Sequence, residues 1–152
     1  MWTILILGLL VLGSGYYFFS FPRKKVHGNF RLGTAELQVE IADSFAKQYQ
    51  GLSDRDSLCD NCGMLFVYNS PRIQNFVMRR MRFPLDFVFI REGEIVEVVE
   101  NVPPPKSGET PIYITSSVTA DGVLEVNAGF MKKNHLKLAD RAILGPTSQP
   151  DQ

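Results

Sequence analysis

The chain has 152 residues, which is enough for one domain of ordinary size and too few for two. Hydrophobic residues make up 45% of it, with 11 Phe and 5 Tyr, so it can bury a core and intrinsic disorder is excluded. Sixteen basic residues balance sixteen acidic ones. The chain therefore lacks the positive excess that drives non-specific nucleic-acid binding, and we expect no nucleic-acid partner.

The first 22 residues form a separate unit. No residue is charged from Trp2 to Phe21, and about 20 apolar residues suffice to cross a bilayer as a helix. We predict a membrane anchor in residues 1–22, with a signal peptide as the alternative; the missing basic N-terminal flank weakens that alternative, and cleavage stays open. Residues 23–25 are all basic, and the positive-inside rule would leave the domain in the cytoplasm. This conflicts with the extracytoplasmic location that we otherwise favour.

The body of the chain has the patterns of strands more often than those of helices. Apolar and polar residues alternate from Glu36 to Ile41, which is the period of a half-buried strand. A short helix is expected after Asp43, its predicted N-cap, and should end at Gly51. Further strands are predicted at residues 64–68, 76–81, 85–90, 94–100, 112–117 and 123–127.

Turn-forming residues separate these strands. Glu92-Gly93 predicts a hairpin turn, and we expect that hairpin to be the centre of the sheet. The proline-rich run Asn101–Pro111 predicts a long surface loop, and Asp121-Gly122 predicts another turn. Residues 130–136 are expected to form one or two helical turns.

Many short strands with turns between them predict a mainly β fold, either a sandwich or a small barrel, with one or two short helices. The predicted order is an anchor or signal segment (1–22), a linker (23–34), a β-rich globular domain (35–145) and a polar tail (146–152).

Short sequence blocks carry a family resemblance over about residues 35–144. In chain order they are Gly51-Leu52, Arg55, Leu58, Gly63-Met64-Leu65-Phe66, Phe76, Met78-Arg79, Pro84-Leu85-Asp86, Val123-Leu124-Glu125-Val126-Asn127-Ala128-Gly129 and Asp140. On these blocks the chain resembles the bacterial and archaeal family known only as domain of unknown function number 192. The resemblance implies a jelly-roll-like, mainly β fold, commonly behind a signal or anchor sequence. It implies no established activity.

Charged and polar side chains are concentrated at these blocks. Arg79 precedes Asp86, and a later strand carries Glu125 and Asn127. Asp86 shares a strand face with apolar residues, so its carboxylate needs a partner, and an arginine is the natural one. Guanidinium groups bind oxyanions, and carboxylates and amides orient hydroxyls. The alternative is a purely structural role for Asp86, as a turn cap or an ion-pair partner.

Two functions fit this pattern. The favoured one is a non-enzymatic, membrane-tethered binding or accessory module, outside the cytoplasm, for a small polar or carbohydrate-like ligand. The predicted ligand-binding set is Arg79, Asp86, Glu125 and Asn127, with Met78 and Arg55 added from the resemblance blocks. The alternative is an exported hydrolase with Asp86 and Glu125 as its acid/base couple. Enzymatic activity therefore stays open.

Cys59 and Cys62 predict a small-loop disulfide in an oxidising compartment. A redox pair or half of a zinc site is the alternative, but the other two zinc ligands are missing from the pattern. The nearby acids Asp54, Asp56 and Asp60 do not follow the alternate-residue pattern of a calcium loop. We expect neither a metal nor a cofactor.

Overall fold

A computed structural model describes residues 27–148. The predicted anchor at 1–22 lies outside the described residues. Within residues 27–148, no helix is long and apolar enough to span a membrane. The strands of this part are β1 (His27–Leu32), β2 (Ala35–Ala42), β3 (Cys62–Arg72), β4 (Asn75–Val77), β5 (Leu85–Arg91), β6 (Glu94–Val102), β7 (Tyr113–Thr115), β8 (Ala120–Asn127) and β9 (Ala142–Ser148), and its helices are α1 (Phe45–Gln50) and α2 (Phe130–Lys133).

Seven strands form one mixed sheet in the order β6-β5-β8-β3-β2-β1-β9, and β4 pairs with β7 separately. Neighbours in the large sheet are antiparallel except β2 and β3, which are parallel because α1 and the following loop carry the chain across. The two edges of the sheet meet at one end, where Glu94 of β6 forms a bridge with Arg141. The mainly β prediction is confirmed, and this closure favours the barrel over the sandwich.

Apolar layers cover both faces of the sheet. One layer includes α2 and residues of β1, β2 and β8, and the other lies beneath the β4–β7 pair. Strand β5 runs between the layers, so each of its residues from Leu85 to Ile90 is buried, including Asp86. Consecutive residues of β8 face different layers, as Leu124 and Val123 do.

The predicted hairpin at Glu92-Gly93 forms, but its position in the sheet differs from the prediction. Both residues have positive φ, 53° and 76°, which suits a two-residue hairpin turn. The hairpin is not the centre of the sheet, because β6 is an edge strand and β8 takes the other side of β5. The centre is built by β8 and β3, which are distant in sequence.

Five local predictions are wrong or incomplete. The segment predicted as a linker contains β1, and β9 extends into the predicted polar tail; these two strands pair with each other. Asp121-Gly122 lies within β8 rather than in a turn, and Gly122 packs against Ile90. The strand predicted at 76–81 ends at Val77, after which the chain turns and Arg80 takes a positive φ of 51°. Helix α1 follows Ser44 instead of Asp43 as its cap.

Candidate functional site

A cavity of about 500 Å³ lies against the face of the sheet that β4 and β7 cover. Helix α1, the loop after it, strand β3 and the segment around β4 form its walls. Its apolar lining includes Phe66, Phe76, Met78 and Leu85, which belong to the same buried layer. The cavity is therefore an opening into this layer. We call it the Glu125 cavity, after the single carboxyl that lines it within the described residues.

Glu125 reaches the cavity because of its register in the sheet. It stands opposite Met64 of β3 and Phe87 of β5, and both neighbours belong to the apolar layer beneath the cavity. Only 6% of Glu125 is exposed, and its Oε2 atom has no hydrogen-bond partner among residues 27–148. An ionisable group among apolar residues on β8, one of the two central strands, is not needed for packing, which makes it a functional candidate.

Burial raises the pKa of Glu125 to about 8, although the positive charge of Arg55 acts in the opposite direction. A low-dielectric environment disfavours the charged form of a carboxyl. The group is therefore mainly protonated at neutral pH. A protonated carboxyl supplies both a hydrogen-bond donor and an acceptor.

Two arginines on the cavity wall stack on tyrosine rings. The guanidinium carbon of Arg79 lies 3.9 Å from the ring centroid of Tyr49, and its Nη2 donates to the Tyr49 carbonyl at 2.7 Å. Arg72 lies 4.6 Å from the ring centroid of Tyr68. All four side chains line the cavity. The stacking holds each guanidinium in place without the help of a carboxylate.

Hydrogen bonds fix the position of Arg79. The Ser53 hydroxyl donates to the Arg79 carbonyl at 2.9 Å, and the Asp54 N–H donates to the Arg80 carbonyl at 3.0 Å. These bonds join the loop after α1 to the loop after β4. Arg79 is consequently held beside Tyr49, the last aromatic residue of the helix.

Apolar side chains form the rim of the cavity. Helix α1 buries none of its residues, and its Phe45 is 83% exposed. The rings of Phe45 and Tyr49 stack with their centroids 6.1 Å apart, and Ile73 and Val77, which also line the cavity, are exposed as well. Aromatic faces at the mouth of a polar pocket offer a stacking surface to a flat ligand.

Asp86 is part of the fold and does not line the cavity. Its side chain is fully buried, with Oδ1 accepting from the Asn101 N–H at 2.8 Å and Oδ2 from the Met131 N–H at 3.2 Å. Backbone donors thus take the place of the expected arginine. Asp86 stands opposite Val126, so it faces the layer on the other side of the sheet from Glu125. The predicted acid/base couple is corrected here, because the two carboxyls share no cleft.

Two other predicted ligand-binding residues also make structural bonds. Asn127 donates through Nδ2 to the carbonyls of Leu58 and Cys59, at 3.1 and 3.0 Å. Arg55 forms a bidentate ion pair with Glu40, in which both terminal nitrogens of its guanidinium donate to the carboxylate. Of the predicted set, the cavity brings together Met78, Arg79 and Glu125.

The predicted disulfide between Cys59 and Cys62 is present, with Cα atoms 5.1 Å apart. The three acids around it are paired with basic residues rather than grouped. Asp54 pairs with Arg80, Asp56 with Arg82 and Asp60 with Lys133. Within residues 27–148, no three His, Cys, Asp or Glu side chains are grouped closely enough to hold a metal ion.

Sequence reasoning selected Arg79 but missed Tyr49, Tyr68 and Arg72, which also line the cavity. Tyr68 continues the alternation of Met64 and Phe66 along β3, so it could be placed on their face. Arg72 lies four residues beyond Tyr68, past the predicted end of the strand. The pairing of Tyr49 with Arg79 joins residues 30 positions apart, and no local pattern signals it.

The fold and the cavity together define a small, mainly β domain with a pocket over a buried carboxyl. The model of the DUF192 family, described as uncharacterised ACR, matches residues 28–143, and the chain belongs to this family. The resemblance found in the sequence is thereby confirmed.

Two solved structures are similar to this chain. One, from Sinorhizobium meliloti and described as a putative transcription regulator, has a TM-score of 0.72 and 31% identity over 80% of this chain and 95% of its own. The other, a protein of unknown function from Novosphingobium aromaticivorans, has a TM-score of 0.67 and 29% identity over 76% of this chain and 83% of its own. A comparison with curated proteins finds no match.

Proposed function

We propose that this protein is a non-enzymatic binding or accessory module that holds a small polar or carbohydrate-like ligand in the Glu125 cavity. One observation carries the proposal: a buried carboxyl with an unpartnered oxygen lines a cavity whose rim is aromatic. Buried polar groups are nearly always hydrogen-bonded, so an unpartnered one at a cavity indicates a missing partner. A ligand supplies that partner in this proposal.

Hydroxyl groups suit the chemistry of the cavity. The protonated carboxyl of Glu125 both donates and accepts, as a sugar hydroxyl does. The Tyr68 phenol, whose pKa burial raises further above neutrality, is a second donor. The rings at the rim supply the apolar contact that one face of a sugar offers. A hydrolase built on Asp86 and Glu125 is not proposed, because the two side chains face different layers.

We place this module at a membrane, outside the cytoplasm. The uncharged run of residues 2–21 supports an anchor. The bond between Cys59 and Cys62 supports an oxidising compartment, because disulfides are rare in the reducing cytosol. The ligand is accordingly one that an exported domain meets, such as a free sugar or a glycan.

A matched pair of tyrosine variants tests the cavity. Tyr49 is 61% exposed and lines the cavity, whereas Tyr113 is 75% exposed and does not. A panel of sugars and small polar compounds is screened against the full-length chain by isothermal titration in a polyoxyethylene detergent, which contains no sugar. We expect Tyr49→Ala to weaken binding of any hit by about fivefold, since a stacked aromatic contributes roughly 1 kcal/mol.

Tyr113→Ala should leave the affinity unchanged. Equal losses in the two variants would place the ligand elsewhere, and no hit in the whole panel would refute the proposal. Both substitutions are at exposed positions, so the fold should survive them.

A further inference from the structure

We infer that the ligand of the Glu125 cavity is acidic: a hydroxylated ring bearing an oxyanion, with Arg72 and Arg79 as its binding groups. This inference rests on the proposed function and names its ligand class. Carboxylate and phosphate share the chemistry that guanidinium groups recognise, and uronic acids and sugar phosphates are the two sources of it.

The charge of the cavity lining supports an anionic ligand. Glu125 is the only acid among the described residues that line it, and Arg72 and Arg79 are both there. Because burial raises the pKa of Glu125 to about 8, the carboxyl does not neutralise them at pH 7. The described residues therefore give the cavity lining two positive charges and no negative one.

The contacts of the Arg72 and Arg79 guanidinium groups differ from those of the other arginines near the cavity. Arg55, Arg80 and Arg82 each pair with a carboxylate. Within residues 27–148, no carboxylate lies within ion-pair distance of Arg72 or Arg79, which instead lie on the rings of Tyr68 and Tyr49. Stacking orients a guanidinium and leaves its charge uncompensated.

A second observation points the same way. The buried side-chain nitrogen and oxygen atoms that lack a hydrogen-bond partner, within the described residues, are Nε of Arg79 and Oε2 of Glu125. Both belong to residues that line the cavity. One atom is a donor that an oxyanion satisfies, and the other belongs to a carboxyl that pairs with a hydroxyl. An acidic sugar carries both groups in one small molecule.

Three sugars that differ in one substituent test the inference: glucose, glucuronate and glucose 6-phosphate. Their affinities for the full-length chain are measured by isothermal titration at pH 7 and low salt, in the polyoxyethylene detergent. We expect at least one acidic sugar to bind about tenfold or more tightly than glucose, since a hydrogen bond to a charged group is stronger than one between neutral groups. The acidic sugar that binds better identifies the source.

Arginine variants connect this preference to the cavity. Arg72→Gln and Arg79→Gln should each weaken binding of the acidic sugar more than binding of glucose, so that the preference for the acidic sugar falls. Arg82→Gln is the matched control, since Arg82 lies three residues after Arg79 and is absent from the cavity lining. The preference should be the same in Arg82→Gln as in the wild type.

Two results would contradict the inference of an acidic ligand without contradicting the proposed function. One is glucose or another neutral ligand binding as tightly as the acidic sugars. The other is a preference that survives both cavity arginine variants. If no compound of any charge binds, the proposed function fails as well, so the two failures are distinguishable.

Discussion

The carboxyl of Glu125 lies in an environment that favours its neutral form, and this makes the stability of the fold depend on pH. In the unfolded chain the carboxyl ionises near its ordinary pKa of 4.5, whereas in the fold it keeps its proton to about pH 8. The folded state therefore binds more protons between these values, and the free energy of unfolding falls as pH rises through this window. One pKa unit corresponds to about 1.4 kcal/mol, so the loss by pH 8 is several kcal/mol.

Substitution by an amide isolates this effect. We expect Glu125→Gln to remove most of the decline, as measured by denaturant unfolding of the full-length chain at a series of pH values from 4 to 9. Glu100→Gln, at an exposed position of β6, is the control and should keep the decline. The same slope in both variants would mean that Glu125 ionises normally in the folded state.

Asp86 shows why the residue pattern alone could not distinguish a structural carboxylate from a ligand-binding one. The sequence placed a carboxylate among apolar residues, and that placement is right, since Asp86 is buried on β5. What the pattern cannot give is the partner. The N–H groups of Asn101 and Met131 come from segments 15 and 45 residues away, and backbone donors leave no trace in residue types.

At the scale of elements, local periodicity predicted most strands but not their neighbours. The alternation at residues 36–41 and the turn at Glu92-Gly93 depend on side-chain period and backbone preference, which are local properties. The pairing of β5 with β8 depends on a chain return over more than 30 residues. The expectation of a central hairpin failed for this reason.

The disulfide loop is an element whose contribution can be measured. A cross-link that closes a loop this short stabilises the fold by about 2 kcal/mol, by restricting the unfolded chain. We expect the double variant Cys59→Ser/Cys62→Ser to lose about that much free energy of unfolding. Ligand affinity should be unchanged, because neither cysteine lines the cavity and Asn127 still holds the loop carbonyls.

Reduction of the wild-type chain by dithiothreitol provides the control for the serine variants. It should lower the free energy of unfolding by the same amount. An unfolding midpoint that does not respond to the reductant would show that the two sulfurs are not bonded in the isolated protein.

At the scale of the whole molecule, the candidate site is a product of tertiary folding. Tyr49 belongs to α1, Arg79 to the loop that follows β4, and Glu125 to β8. Only the closed sheet brings these three residues to one cavity. Sequence reasoning could select Arg79 and Glu125 as unusual charges. It could not tell that Asp86 and Asn127 have structural roles instead, since all four residues fall in the blocks that carry the family resemblance.

The proposed location gives a prediction for the entire chain. If residues 1–22 anchor the protein and the domain is exported, proteinase K added to intact spheroplasts should digest the domain and leave the cytoplasmic controls whole. The apolar run and the disulfide are the physical reasons. Digestion only after membrane lysis would instead agree with the basic residues 23–25 and place the domain in the cytoplasm.

The central claim is that Glu125 carries a proton at neutral pH and contacts the ligand. The most direct test is a titration of its side-chain carboxyl carbon by ¹³C NMR, in the full-length chain with and without the tighter-binding of glucuronate and glucose 6-phosphate. We predict a midpoint near pH 8, which rises when the anion occupies the cavity because a neighbouring negative charge disfavours ionisation. A midpoint near 4.5, or one that a saturating concentration of that sugar leaves unmoved, would contradict the account.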